Sequence, residues 1–337
     1  MKLSWPRLPS WLLPRTGWIQ IEVTSRCNAA CTYCPHTAYR ENWDTRDLAL
    51  ATFRRLLPAL ARKRWTYLQG WGEPLLHPDF FTMARLAKEA GCRVGTTTNG
   101  MLLDARLAGK LVDAGLDLVA FSLTGLKERN DAVRRGTSYG RVLEAIQALN
   151  AAKARAACSK PQVNLAYLLL RSGLPDLKEL PRALRGLGID QVVVSTLDFV
   201  PAKEWAAETL HPTGLEEYAE LEARLEELAL SGEQCGLAIH HQLPRPGEPR
   251  LLCPENPQQS FFVSAAGALS PCVFTNLPVS GVTHWVNDQE VPFRTLTFGN
   301  IQEEDWGTIW RRRPYINFRR SFYTGRLATP CRHCLKL

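Results

Sequence analysis

The sequence predicts an α/β fold: six parallel β–α units forming a partial barrel, followed by a small C-terminal unit of different character. Three observations predict it. Strand-like and helix-like stretches alternate six times at regular spacing up to about residue 200. The chemistry-bearing motifs of that part fall at the C-terminal ends of the strands, where parallel barrels place their sites. Past residue 250 the alternation stops, and short strands with clustered cysteines replace it.

Taken in order, residues 1–16 have an apolar run broken by Pro6, Pro9 and Pro14, so no signal peptide is expected. Trp5, Trp11, Leu12 and Leu13 are expected to cover the barrel floor. Trp18-Ile-Gln-Ile-Glu-Val23 alternates and reads as the first strand. Asp47 to Arg64 reads as a helix, because Leu48, Leu50, Phe53, Leu56 and Leu57 recur at helical spacing. Trp65 to Gln69 is a strand ending in Gly70-Trp71-Gly72-Glu73-Pro74. A helix from Pro78 to Ala90 leads to a strand from Cys92 to Thr97, which ends at Thr98-Asn99-Gly100. Asp104 to Ala114 is a helix closed by Gly115. The strand Leu118 to Leu123, helix Tyr139 to Ala154, strand Gln162 to Leu170, helix Pro175 to Leu187 and strand Gln191 to Ser195 complete the series. Thr213 to Ser231 is a charged helix with one leucine-rich face and reads as a connector. Three prolines between Gln242 and Arg250 mark a boundary. Ser260 to Ser264 and Ala268 to Ser270 read as a hairpin turning at Ala266-Gly267, and Glu303 to Trp310 as a helix. The expected divisions are an extension 1–16, a barrel 17–200, a helical connector 201–250 and a cluster-bearing domain 251–337.

The 337 residues and 45% hydrophobic content suit a globular protein with a sizeable core. No run of about 20 apolar residues occurs, so no membrane span is expected. The formal charge of +8 admits nucleic acid, an acidic partner or nothing specific. Basic residues are spread out except for Arg311-Arg-Arg313 and Arg319-Arg320, which read either as a solvated helix face or as a face for an acidic electron donor. Ten cysteines cluster as C-x3-C-x2-C and C-x2-C, pointing to metal rather than crosslinks and to a reducing, cytoplasmic setting.

Cys27, Cys31 and Cys34 lie on the loop leaving the first strand. A structural zinc or a fully protein-held [4Fe–4S] cube takes four ligands, so three leave one metal open to a small molecule. A zinc knuckle completed by His36 is the competing assignment. This loop, followed by Gly72-Glu73-Pro74, resembles the cluster loop and Gly-Gly-Glu-Pro element of the radical S-adenosylmethionine (radical SAM) enzymes, and the resemblance runs from about Trp18 to the end. It implies a TIM-like (β/α)6 partial barrel and a [4Fe–4S] cluster on the three thiols. S-adenosyl-L-methionine would chelate the open iron through its amino and carboxylate groups. It implies that Tyr33 packs near the adenine and that Gly72, Glu73 and Pro74 hold the methionine ammonium. Asn99 and Ser122, assisted by Thr97, would bond the ribose or carboxylate. Arg134 or Arg135 would meet the carboxylate, which a guanidinium fork fits. Trp71 stands where the family has glycine, leaving the backbone path there open. The implied reaction is reductive cleavage of SAM to methionine and a 5′-deoxyadenosyl radical that takes a hydrogen atom from substrate.

Gly267-Ala-Leu-Ser-Pro-Cys272, preceded by Cys253, and Phe298-Gly-Asn-Ile301, followed by Trp306 and Trp310, resemble the SPASM and twitch domains of that family. With Cys331 and Cys334 the count fits the shorter twitch pattern, one auxiliary [4Fe–4S] cluster on four cysteines, with zinc as the alternative. Cys235 could substitute as a ligand, while Cys92 and Cys158 are expected to be buried apolar thiols. A closed auxiliary cluster suits taking an electron from a substrate radical, hence an oxidation of a small molecule, peptide or enzyme cofactor. The segment around Ser270-Pro-Cys272 is similar to maturases for tungsten-cofactor oxidoreductases. Asp198 is the candidate base, with an ordinary surface-loop Asp as the alternative, and Gln69, Asn164 and Tyr167 either line the cavity or only pack. The implied partners are an electron donor such as flavodoxin or ferredoxin and an unidentified small-molecule, peptide or protein substrate. Two other classes compete: a radical SAM enzyme modifying RNA, for which no appended RNA-binding module is visible, and a non-catalytic zinc or redox protein.

Overall fold

The structure is a computed structural model that describes residues 17–247, 253–287 and 289–336. The expectations for Trp5, Trp11, Leu12 and Leu13 lie outside the described residues. The strands are β1 (Trp18–Ile21), β2 (Ala30–Cys31), β3 (Trp65–Leu68), β4 (Arg93–Thr98), β5 (Leu118–Leu123), β6 (Arg134–Arg135) and β7 (Gln162–Leu168). They continue with β8 (Gln191–Ser195), β9 (Ala238–His241), β10 (Phe261–Val263), β11 (Ala268–Ser270), β12 (Thr283–Val286), β13 (Gln289–Pro292) and β14 (Gly299–Asn300). Ten of them form one sheet in the order β14-β11-β10-β1-β3-β4-β5-β7-β8-β9. The six strands expected of the barrel are consecutive and parallel within it.

Two further parallel strands flank the six. β9 emerges from the stretch read as a helical connector: helix Leu215–Gln234 ends, Gly236 turns at φ +74°, and Ala238–His241 returns along β8. At the other edge β10 runs parallel to β1, with Ile19 opposite Phe261 and Ile21 opposite Val263. Each covers a row of backbone N–H and C=O groups that a sheet edge would leave unpaired. β11 and β14 then pair antiparallel beyond β10, so the C-terminal unit continues the barrel sheet.

Alternation divides the strands into two faces. Ile19, Ile21, Leu68, Val94, Phe121 and Leu165 point under the helices and are fully buried. Each such side chain contributes roughly 1.5–3 kcal/mol of hydrophobic stabilisation. The buried Thr66 and Thr96 hydroxyls on that face donate to the carbonyls of Ile19 (3.1 Å) and Leu68 (2.8 Å). Gln20, Tyr67, Thr97, Ser122 and Ala166 lie on the opposite, concave face and stay partly exposed. The barrel therefore has a sealed outer layer and an accessible polar interior.

Prolines shorten two expected helices by removing a donor and crowding the preceding turn. The Asp47 to Arg64 stretch divides into Leu50–Arg55 and Leu57–Leu60, with Pro58 in the first turn of the second. Pro175 and Pro181 divide another stretch into a 3-10 segment Arg171–Lys178 and a short helix Leu180–Leu184. Helix Ala105–Asp113 is capped by Asp104, whose side chain accepts from the Leu107 N–H at 2.7 Å. Cys92 is buried as expected, its thiol 2.9 Å from the Leu60 carbonyl oxygen. Cys158 is not: it is exposed, because helix Tyr139–Arg155 has already ended and Ala157, at φ +46°, swings the chain outward before β7.

Candidate functional site

The three N-terminal thiols are organised by a contact with a distant segment. β2 pairs antiparallel with β6, placing Cys31 opposite Arg134, and the Thr32 N–H donates to the Val133 carbonyl at 2.9 Å. Arg134 is thereby buried, 6% exposed, beside the thiols, while Arg135 is exposed. One Arg134 nitrogen, Nη1, donates to the Tyr33 hydroxyl at 2.6 Å, while the buried Nε has no hydrogen-bond partner. Burial opposes the charge of Arg134, but Tyr33 and Cys31 outweigh it and hold the guanidinium more firmly protonated than usual. Burial pushes the Cys27 thiol up to about 11 and the Cys34 thiol up to about 12, and Cys31 adds to both. The Tyr33 hydroxyl also lies 3.1 Å from Thr124 Oγ1, and its ring meets Trp205 edge-on at 6.0 Å. His36 turns its ring against Trp43, centroids 5.1 Å apart.

The Gly72-Glu73-Pro74 turn abuts the same loop. The Glu73 N–H donates to the Arg26 carbonyl at 2.7 Å. A Cβ on Gly72 would lie 2.3 Å from the Thr24 oxygen and 2.5 Å from the Arg26 oxygen, so only glycine passes here. Glu73 is 2% exposed. Its Oε1 accepts from Thr98 Oγ1 (2.8 Å) and the Leu75 N–H (3.2 Å), and Oε2 accepts from the Asn99 N–H (2.7 Å). Burial raises its carboxyl above the ordinary range, opposed by these bonds. A carboxylate offers about four acceptor positions, so Oε2 retains room for one more donor. Asn99 Nδ2 donates to Asn28 Oδ1 at 2.8 Å, tying the end of β4 to the cysteine loop. Pro74 opens the short 3-10 turn Pro74–Leu76.

On the concave face Thr97 Oγ1 donates to Gln69 Oε1 at 2.7 Å. Ser122 follows on β5, opposite Ala166. Asn164 faces the same way, and its buried Oδ1 has no hydrogen-bond partner. Tyr167 belongs to the opposite face and is fully buried in the main core, so it packs rather than lines the cavity.

Two residues that sequence reasoning undervalued join the halves of the protein. Trp71, at the family's glycine position, donates its backbone N–H to Glu22 Oε1 (2.9 Å) and its indole N–H to the Asn276 carbonyl (2.8 Å). Its ring meets Phe199 and Phe274 edge-on at 6.1 Å and 5.8 Å. Glu22, 1% exposed, accepts a second N–H, from Ala265, on Oε2 at 3.1 Å. Burial pushes its carboxyl up to about 7, against those two N–H groups. The available signal was an acid in the run that leads into the cysteine loop, together with Gly70, where a Cβ would lie 2.5 Å from the Glu22 Cβ.

The four C-terminal thiols come from three segments. Cys253 lies in a loop, Cys272 precedes the turn Val273–Thr275, and Cys331 lies in helix Thr329–Arg332 with Cys334 just beyond. Burial pushes Cys253 and Cys331 up to about 12, and each feels the charge of Cys334. Cys272 feels all three others. Cys235 instead follows helix Leu215–Gln234 and packs on the main core. Among the described residues, no three His, Cys, Asp or Glu side chains are arranged to hold a single metal ion. Asp198 accepts from Thr196 Oγ1 at 2.9 Å and lies 3.4 Å from Lys336 Nζ, which also pairs with Glu255 at 2.6 Å. It is therefore a neutralised member of an ion network whose charge reaches Cys334. Asp198 and Cys334 both line a cavity of about 270 Å³ walled by Phe199, Phe274, His284 and Phe293.

Residues 21–160 match the model of the radical SAM superfamily, and residues 253–335 match that of the SPASM iron–sulfur cluster-binding domain. The chain therefore carries a radical SAM domain and a SPASM domain. The chain is 26% identical over 308 residues to a tungsten-containing aldehyde ferredoxin oxidoreductase cofactor-modifying protein of Pyrococcus furiosus, covering 90% of this chain and 83% of that protein. It is 38% identical over 142 residues to a GTP 3',8-cyclase of Chlorobaculum tepidum, spanning 39% of this chain and 40% of that protein. Among solved structures, native anSMEcpe with bound AdoMet aligns over 90% of this chain and 82% of that one, with TM-score 0.65 and 18% identity. Streptococcus suis SuiB bound to S-adenosylmethionine aligns over 90% and 68%, with TM-score 0.65 and 16% identity. These two likenesses establish the fold. Among the described residues no helix is long and apolar enough to cross a membrane.

Proposed function

We propose that this radical SAM enzyme holds a [4Fe–4S] cluster on Cys27, Cys31 and Cys34, with S-adenosyl-L-methionine beside it, and a second [4Fe–4S] cluster on Cys253, Cys272, Cys331 and Cys334. Its reaction is an oxidative modification of a small molecule, a peptide or another enzyme's cofactor. The observation that carries this reading is the pair of opposite charges flanking the three-thiol loop. Arg134 is buried with a donor unspent, and Glu73 is buried with an acceptor position left. An amino acid moiety needs that pair, a cation for its carboxylate and an acceptor for its ammonium.

The thiols themselves fit a cluster. Zinc draws four sulfurs in to about 2.3 Å from one point, whereas each iron of a cube takes its own thiolate. Within each group the cysteines lie close enough to feel one another's charge. When bound, the cluster and SAM supply one-electron cleavage of the sulfonium and, with it, hydrogen-atom abstraction from substrate. The chain's own residues position the parts. Gly72 brings the Glu73 backbone against the Arg26 carbonyl, Asn99 fixes the cysteine loop to β4, and Tyr33 with Thr124 and Trp205 forms a ring-lined wall beside Arg134. Thr97 and Ser122 would bond the SAM ribose or carboxylate from the concave face, where Asn164 presents an unpartnered Oδ1 to the cavity. Asp198, paired with Lys336, lines the cavity adjoining the C-terminal site and sets the charge beside Cys334.

The similarity to the tungsten-cofactor-modifying protein over most of both chains supports maturation of an enzyme cofactor as the specific task. Cysteines clustered for metal rather than for crosslinks suit a reducing cytoplasm, where a flavodoxin or ferredoxin would supply electrons. The test is anaerobic incubation of the iron-loaded protein with dithionite and SAM. About eight iron per chain and formation of 5′-deoxyadenosine are expected. A fully loaded protein that forms none, or a Cys31→Ser variant that forms as much, would overturn the reading.

A further inference from the structure

Residues 306–337 contain seven arginines, one lysine and no aspartate or glutamate. The chain has 41 basic and 33 acidic side chains, so the preceding residues balance at 33 of each and the whole +8 excess belongs to this final stretch. It folds mainly as helix Arg313–Thr324 and the short helix Thr329–Arg332 that carries Cys331.

The long helix has two chemically opposite faces. Tyr315, Phe318 and Phe322 are buried in the same core as Cys331, with Cys253 packed against it. Arg319 lies over Trp310 at 3.9 Å and Tyr315 at 4.5 Å, closing the aromatic layer. Arg313, Asn317, Arg320 and Thr324 form the exposed stripe, with Tyr323 beside it 75% exposed. Arg312 is paired with Glu304, and Lys336 with Glu255 and Asp198. Arg313, Arg320, Arg326 and Arg332 are exposed and enter no ion pair among the described residues. An unneutralised cationic stripe is thus separated from the second cysteine site by one helix, about 10 Å across.

We propose that this stripe is the docking surface for a small acidic one-electron carrier protein, which exchanges one electron with the C-terminal metal site through helix Arg313–Thr324. The proposal rests on the reading that this site holds an iron–sulfur cluster. In turnover the cluster, reduced by the substrate radical, loses one electron and the oxidised carrier gains it; a reduced carrier drives the reverse transfer, and neither direction makes or breaks a bond. Charge complementarity is the recognition chemistry, and a field of this kind raises encounter rates by about 10–1,000-fold at low salt. A nucleic acid would also meet a basic stripe, but would gain nothing from the aromatic layer that backs this one onto the thiols.

The test uses the iron-loaded protein and a reduced flavodoxin, followed by stopped-flow absorbance under anaerobic conditions. Wild-type electron transfer should be fast and slow steeply with ionic strength. Arg313→Glu with Arg320→Glu, and separately Arg326→Glu, should slow it at least tenfold and threefold respectively. The same variants should keep wild-type iron content and dithionite-driven 5′-deoxyadenosine formation, which reports on the function reading independently. Unchanged flavodoxin rates in the double variant would overturn the proposal. So would salt-sensitive RNA retention that the substitutions abolish while flavodoxin rates stay unchanged, which would assign the stripe to nucleic acid. If dithionite-driven turnover is absent already in the wild type, the function reading fails instead.

Discussion

Gly72→Ala asks whether one hydrogen-to-methyl change can dislocate the turn that meets the cysteine loop. The added Cβ would stand 2.3 Å from the Thr24 oxygen and 2.5 Å from the Arg26 oxygen, against 3.4 Å or more for ordinary contact. The turn must therefore retreat by about 1 Å, because both obstacles are backbone and neither can rotate aside. Retreat breaks the 2.7 Å bond from the Glu73 N–H to the Arg26 carbonyl and drags the Glu73 carboxylate from Thr98 and Asn99. One lost buried hydrogen bond costs about 1–1.5 kcal/mol and the displaced backbone about 1–3 kcal/mol, so a loss of about 3 kcal/mol is expected. A misplacement of about 1 Å at a reacting centre costs about 100-fold in rate, so 5′-deoxyadenosine formation should fall by about that factor. Anaerobic denaturant unfolding and dithionite-driven turnover measure the two effects. Gly109→Ala is the control: nothing lies within 4 Å of its added Cβ, and it sits inside helix Ala105–Asp113. That variant should gain about 0.5–1 kcal/mol. Gly72→Ala within 1 kcal/mol of wild type and within about twofold in rate would refute the packing argument.

Trp71→Gly, which installs the family's residue, removes the bond to the Asn276 carbonyl and the ring contacts with Phe199 and Phe274. It should cost about 2–4 kcal/mol in denaturant unfolding and raise hydrogen exchange around residues 274–277; unaltered exchange there would count against it. Glu22 titrates near 7 when folded against an ordinary 4.5, so the folded state binds the proton more tightly within that window. Stability should therefore be fully present at the low end and decline as pH rises through it, by up to about 1.4 kcal/mol per pH unit. Glu22→Gln should flatten that slope in unfolding curves, and a slope that persists would show that another group carries it. Cys331→Ser should lower iron from about eight to about four per chain while dithionite-driven SAM cleavage persists; loss of all iron would mean that the two sites do not load separately.

Much of the fold was legible because its signals are local. The alternation Ile19, Ile21, Val23 marked β1, and six such runs at strand–helix spacing marked the parallel sheet. The thiol spacing marked the loop. Pairings across the chain left no such trace. β10 against β1 joins residues some 240 positions apart, which no periodicity records. β9 is four residues with a mixed pattern, too short to stand out after a long helix. Arg134 and Arg135 looked equivalent, and only the β2–β6 register decides which one turns inward. Asp198 occupied the expected strand end, but its neutralising partner Lys336 arrives from 138 residues further on. Glu22 looked like the polar half of an alternating strand, although its two acceptors hold Trp71 and Ala265 together.

The pairing of β10 with β1 gives the auxiliary unit a duty apart from electrons. During synthesis the first barrel strand leaves the ribosome long before its outer neighbour exists, and its amides and carbonyls must wait beside solvent for almost the whole of translation. A truncated protein ending near residue 247 would keep that raw margin permanently and be prone to self-association. The cysteine-bearing tail is thus also the selvedge that stops the sheet from recruiting a stranger.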